Sequence, residues 1–162
     1  MRKAVALLAG LLVLAFANYG IYQRERLVSE GTVVFLRLAP VDPRSLMQGD
    51  YMRLDFEVAR QAFPFDAEIA ADGHVVVALD RHRIAHFRRL ADGRPLAPGE
   101  MALRYRIRDG EPKFATNAWF FEEGQAAAYA NAAFGEFRVA PDGEMILAAL
   151  RGPRLEPLGR AR

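Results

Sequence analysis

Pro40-Val41-Asp42-Pro43-Arg44-Ser45-Leu46-Met47-Gln48-Gly49-Asp50-Tyr51-Met52-Arg53-Leu54-Asp55-Phe56 is the stretch whose reading decides the fold. Its composition is that of a strand exit, a stiff turn and the entry to a second strand. Pro40 and Pro43 fix φ and push the residues before them, Ala39 and Asp42, out of the α region. The short carboxylate of Asp42 suits bonding to turn amides, and Gly49 and Asp50 are turn-formers at the mouth of the next strand. From there polarity alternates. Met52, Leu54, Phe56 and Val58 share one face, and Tyr51, Arg53, Asp55 and Glu57 share the other, which predicts a half-buried strand.

Upstream, Thr32 to Ala39 reads as the first strand, β-branched at its start. Downstream, strands are predicted over His74–Asp80, Ile84–Leu90, Met101–Arg108 and Lys113–Phe121, with Asp-Gly turns at Asp72-Gly73, Asp92-Gly93 and Asp109-Gly110. Within Met101–Arg108 the residues Met101, Leu103, Tyr105 and Ile107 face inward. Phe63-Pro64-Phe65 is expected to tuck two rings against the core edge. Gln125 to Phe134 is alanine-rich, follows Glu122 and Glu123, and is predicted as a helix stopped by Gly135. Glu136–Ala140 and Glu144–Leu150 form a terminal hairpin about Pro141-Asp142-Gly143. Gly152 to Arg162, with two prolines and three arginines, is expected to fray.

The N-terminus is of another kind. Arg2 and Lys3 precede an uncharged apolar run, Ala4 to Ala17, continued by Asn18-Tyr19-Gly20-Ile21-Tyr22. The strictly apolar part falls short of the roughly 20 residues a spanning helix needs; the continuation brings it near that length. Tyr19 and Tyr22 then stand where an interfacial aromatic belt belongs. A cleaved signal peptide ending at Ala15-Phe16-Ala17 is the rival. The tyrosines and Ile21 prolong the segment past that cut and favour a retained anchor. Gln23 to Glu30 extends the helix out of the bilayer, with Gly31 as its stop. Basic residues on the two sides differ little, but one N-terminal span most simply exports everything after it, leaving the N-terminus inside.

Length and composition narrow the classes. At 162 residues the chain fits one globular domain and an anchor. Net charge is +2 with both signs interspersed, which describes a solvated surface and no nucleic-acid footprint. With no cysteine, disulfides, thiolate metal sites and a cysteine nucleophile are excluded.

Gly49-Asp50-Tyr51, Leu54 and the aromatic Phe56, with the upstream Pro-Val-Asp-Pro-Arg-Ser-Leu run, resemble the GDYXXLXY family of bacterial membrane-anchored proteins. The chain departs at the last motif position, with Phe56 where the pattern has Tyr. The resemblance extends from the N-terminal helix through Phe120-Phe121-Glu122-Glu123-Gly124 to Pro141-Asp142-Gly143. It implies membrane anchoring and, as partner, a polytopic membrane protein of unknown function. It implies no activity.

Three groups of residues have the types that a catalytic or metal site would use. A signal-peptidase-like serine site needs a nucleophile eight residues before the Gly49 position, where Val41 stands; Ser45 is misplaced, and Lys113 is the only lysine past Lys3. His82 and His86, with His74 and Asp80, could suggest a metal, but residues four apart on a strand lie roughly 13 Å apart. Asp42 with Asp50, or Glu122 with Glu123, are paired acids better explained as turn-formers and helix-start charges. Phe114, Trp119, Phe120 and Phe121 could line a lipid or peptide groove, though alternating faces make core filling the simpler role.

The expectation is a mainly β (α+β) chain: an anchor and juxtamembrane helix over 1–30, a small antiparallel β-barrel or sandwich carrying one short helix over 31–151, and a basic flexible tail over 152–162. It sits in the inner membrane with its domain in the periplasm, uses no cofactor or metal, and docks on another envelope protein. Asp42, Pro43, Arg44, Gly49, Asp50, Tyr51, Arg53, Leu54 and Phe56 are the expected surface and motif residues. A hydrolase on a signal-peptidase-like barrel and a lipid or small-ligand carrier are the alternatives.

Overall fold

The computed structural model describes residues 2–39, 47–48, 51–64, 70–108 and 110–159. The chain is mainly β with two helices and a curled, half-barrel sheet arrangement. Helix α1, Arg2–Glu30, ends where Gly31 N–H donates to the Leu27 carbonyl at 3.0 Å. Strands follow as β1 (Thr32–Arg37), β2 (Met47–Gln48) and β3 (Tyr51–Arg53), then helix α2 (Glu57–Ala62). The rest is β4 (Asp72–Leu79), β5 (Ala85–Leu90), β6 (Glu100–Arg108), β7 (Glu111–Lys113), β8 (Ala118–Phe120), β9 (Phe134–Val139) and β10 (Met145–Arg151).

These strands make three antiparallel sheets, ordered β1-β9-β10, β2-β3-β8 and β5-β4-β6-β7. Single bridges stitch them together. Phe35 N–H donates to the Arg83 carbonyl at 2.9 Å beside a parallel bridge to Ile84, and Leu38 bridges Phe56. The interior between the sheets is filled by Leu36, Leu54, Phe56, Val75, Val77, Leu103, Phe114, Phe137 and Leu150. Helix α2 closes one side with Val58, Ala59 and Ala62, and the Phe63 ring stands edge-on to Tyr105 at 4.6 Å. Phe65, Phe63's expected companion, lies outside the described residues.

Four expectations are corrected. The motif strand ends at Arg53 and does not run to Val58. Its alternation nonetheless persists, with Met52, Leu54, Phe56 and Val58 all buried. The reason is a change of partner along the way: Leu54 N–H goes to Asn117 O at 2.7 Å, Asp55 O accepts from Ala39 N–H at 2.8 Å, and the Phe56 carbonyl then accepts from Ala59 and Arg60 to start α2. Lys113–Phe121 is not one strand. It breaks at Phe114, so β7 pairs β6 while β8 pairs β3.

The alanine-rich helix shrinks to a 3₁₀ turn at Ala126–Tyr129, and Phe134 opens β9. Alanine propensity is worth only tenths of a kcal/mol per residue. It yields to pairing that sets Phe134 opposite both Arg37 and Arg151. Finally, Gly152 to Gly159 does not simply leave the domain. Gly152 N–H donates to Glu156 O at 2.9 Å, and Pro157 bridges back to Arg151.

Among the described residues, no helix is long and apolar enough to cross a membrane. A helix forms where the sequence predicts one, but a span is not shown. Its side chains from Leu7 to Tyr22 are exposed on every side, and only its C-terminal end packs on β9 and β10.

The sheets meet at Phe56, 1% exposed, whose ring stands edge-on to Phe114 at 6.5 Å and to Phe137 at 5.4 Å. Gly135 makes room for it: a Cβ there would come within 2.9 Å of Phe137 and 3.2 Å of the Phe56 ring. Phe56→Ala is therefore expected to cost about 3–5 kcal/mol and Gly135→Ala about 1–3 kcal/mol in urea-unfolding midpoints. Ile146→Ala, on a half-buried side chain of β10, should cost clearly less.

Candidate functional site

The motif divides into residues that build the core and residues that reach the surface. Leu54 and Phe56 are buried and structural. At the last motif position the ring packs among phenylalanines, so Phe in place of Tyr keeps the packing and omits only the hydroxyl. Asp42, Pro43, Arg44, Gly49 and Asp50 lie outside the described residues, as do Pro40 and Ser45. The described part of the surface is set by β3, flanked by β2 through Met47↔Met52 and Gln48↔Tyr51, and by β8 through Tyr51↔Phe120 and Arg53↔Ala118.

Tyr51 and Phe120 are therefore direct cross-strand neighbours, with ring centroids 5.7 Å apart. Phe120 is 73% exposed. Beside them Arg53 is exposed and paired with the Glu111 carboxylate from β7. Asp55 takes Arg60 from α2 at 2.8 Å. An aromatic pair and an ion pair thus share one outer edge, with Trp119 and Phe121 turned the other way onto Tyr129 at 6.0 and 5.5 Å. Phe114 fills the core. Of the four aromatics weighed for a groove, Phe120 alone is left strongly exposed.

Phe120 and Glu111 were not among the residues singled out on the motif edge. Alternation in Ala118–Phe121 could have turned Phe120 away from Trp119. Nothing in the sequence pairs Glu111 with Arg53, because that contact depends on the break between β7 and β8.

The other constellations dissolve into structural roles. Asp80 caps a turn: its Oδ1 accepts from His82 N–H at 2.8 Å and Ile84 N–H at 2.9 Å. The amide bond from Ile84, supported by the one from His82, holds its carboxyl below the usual range. His86 reaches Asp80 Oδ2 at 3.4 Å, His82 Nε2 accepts from Arg81 at 3.0 Å, and His74 is elsewhere, on the Asp142 carbonyl at 3.0 Å. Among the described residues no group of three or more His, Asp or Glu side chains is placed to hold a metal ion. Glu122 and Glu123 are exposed beside the 3₁₀ turn. Lys113 sits on β7 opposite Arg106.

A second charged cluster lies on the outer face of the four-stranded sheet. Arg104 donates from Nε and Nη2 to the two Asp72 oxygens at 3.1 and 2.7 Å, and from Nη1 to Glu144 at 2.7 Å. This fork geometry favours the charged forms of both partners. The Arg104 hydrogen bonds lower the Asp72 carboxyl below its ordinary 3.8, and the same contacts raise Arg104. A depressed carboxylate contributes stability above its unfolded pKa and loses it as pH falls through the folded pKa. The carboxyl-carbon shift of Asp72 is thus expected to titrate below 3.8 and to move up toward that value in Arg104→Ala.

A family model described as GDYXXLXY protein matches residues 13–150. No curated protein and no solved structure matches the chain. With most of its length under that one model, from within α1 to the end of β10, the chain belongs to the GDYXXLXY protein family.

Proposed function

We propose that the protein is anchored in the inner membrane by residues 1–30, with its N-terminus inside and its β domain, 31–151, on the periplasmic side. On this reading the domain works without catalysis, docking on a polytopic membrane protein through the Tyr51, Arg53 and Phe120 edge. Residues 152–162 form a basic C-terminal segment.

One observation carries the anchor: Leu7, Leu8, Leu11, Leu12, Val13, Leu14 and Phe16 are all strongly exposed, Phe16 at 81%. Consecutive helix positions point in every direction round the axis, so this surface is apolar all round. A partner groove accepts one stripe of a helix, whereas a helix apolar on every side belongs in an apolar phase. Burying each such side chain is worth about 1.5–3 kcal/mol, and a helix standing alone in water gains none of it. The segment from Ala4 to Tyr22 approaches the roughly 20 residues of a span, and α1 at 29 residues extends beyond it as the stalk.

The docking edge is supported by residue type. Tyrosine and arginine are enriched where interfaces concentrate their energy, and Phe120 exposes apolar area beside them.

Two measurements test the reading. Full-length protein should remain in the membrane pellet after an alkaline carbonate wash, and replacing Leu8, Leu11 and Leu12 together by Asp should release it; release of the parent chain by the wash contradicts the anchor. A photocrosslinker at position 51 or 53 should capture a polytopic membrane protein in intact cells, while one at exposed Arg94 should not. Equal capture from all three positions contradicts the edge.

A further inference from the structure

Arg104, Arg106 and Arg108 occupy alternate positions of β6, so they project from its outer face, opposite the buried Leu103 and Tyr105. With Lys113, Glu144 and Met145 they line a cavity of about 270 Å³ between the end of β7 and the β9–β10 turn. The turn is fixed against β6 where β7 no longer covers it: Arg104 N–H donates to the Gly143 carbonyl at 2.9 Å. Gly143, at φ 83°, fits there because a Cβ would meet the Ala102 carbonyl at 2.9 Å.

The arginines are not equally occupied. Arg104 is held from both sides by Asp72 and Glu144 and is a fixed wall. Arg106 gives Nη2 to the same Glu144 and has Nε 3.9 Å from Asp72 Oδ2, so the two carboxylates are shared between the two guanidiniums. Arg108 donates from Nη1 to the carbonyl of Ile107. The carboxylate opposite it, Glu111, is taken by Arg53. Among the described residues, no acceptor sits on Nη1 of Arg106 or on Nε and Nη2 of Arg108. Two guanidiniums on one face, about 7 Å apart along the strand, thus line one opening with donors that no described residue takes.

Strand register locates that opening. Thr32, which follows the end of α1, pairs with Val139, and Val139 pairs with Met145. Met145 and Glu144 therefore lie at the end of the domain where α1 enters. If α1 is the anchor, the cavity faces the headgroup layer.

We propose that this groove binds the phosphate group of an anion, held by Arg106 and Arg108 with Arg104 as the positioned wall. Forked donors on a planar cation match phosphate oxygens, and the cavity has room for a headgroup-sized ligand. That the source is a lipid headgroup rests on the anchoring reading; binding of phosphate itself does not.

The experiment uses the full chain in a neutral detergent micelle and in nanodiscs. In micelles, inorganic phosphate is titrated while the Nε–H resonances of the arginines are followed. In nanodiscs, phosphatidylglycerol is compared with phosphatidylcholine. Saturable shifts confined to Arg104, Arg106 and Arg108, weakened about tenfold in Arg108→Ala, are expected with phosphate. Phosphatidylglycerol should perturb the same resonances. Shifts with phosphate alone support the groove and assign it to a free solute. Shifts with phosphatidylglycerol alone support it and assign it to the headgroup. No shift with either probe overturns the proposal, as does an equal loss in Arg94→Ala, since Arg94 is exposed on the β5–β6 loop and does not line the groove. Unchanged thermal unfolding of Arg108→Ala, expected for an exposed residue, keeps the comparison valid. Should α1 prove not to be an anchor, the carbonate wash fails while the phosphate titration still reads the groove.

Discussion

The structure depends on one packing constraint: the ring of Phe56 must sit between Phe114 and Phe137, where the three sheets converge. No sheet here is large enough to enclose a core by itself. The β2-β3-β8 sheet has strands of two and three residues, and short strands of that kind are not stable alone in water. Each sheet therefore borrows the others' apolar faces, and Phe56 supplies the shared contact. The strand that carries it must leave β8, bridge to Leu38 just past β1 and turn into α2 within a few residues. The outer edge of that same strand is what presents Tyr51 and Arg53. Core and surface are thus coupled through the motif: its inward positions hold the sheets together, and its outward positions are displayed because the inward ones are fixed.

Much of this was legible in the residues. The alternation of Met52, Leu54, Phe56 and Val58 correctly separated inside from outside, and the Met101–Arg108 alternation did the same for β6. The hairpin about Asp142-Gly143 and the stop at Gly31 followed from turn and cap chemistry. What escaped was pairing. Alternation states which way a side chain faces but not which strand lies beside it. The change from strand to helix after Phe56, the break at Phe114 and the shrinking of an alanine helix to a 3₁₀ turn ahead of β9 are all decided by distant partners: Leu38, Asn117, Arg37 and Arg151. Local propensity differs by less than those contacts are worth.

The candidate surface was legible to the same degree. Tyr51 and Arg53 could be placed outward from period alone, whereas Phe120 and Glu111 complete the edge only once β8 and β7 are known to belong to different sheets. The arginine face of β6 was implicit in the alternation that set Leu103 and Tyr105 inside. Its significance depends on Glu144 arriving from the terminal hairpin, on the loss of Glu111 to Arg53, and on the register that sets Glu144 and Met145 near the end of α1. Charge balance along the sequence conceals this, because the carboxylates and arginines are nearly equal in number but not evenly distributed in space.

The central claim is that the three sheets form one cooperative unit held at the motif strand. Native-state hydrogen exchange tests it at the amides that join the sheets, Phe35 to Arg83 and Ala39 to Asp55 at 2.9 and 2.8 Å, and at the motif strand's own bond from Leu54 to Asn117 at 2.7 Å. If the account is right, these amides exchange only through global unfolding, with the same free energy as amides in the middle of β4 and β6. If they open at markedly lower free energy while β4 and β6 stay protected, the sheets are separate units and the motif does not bind them together.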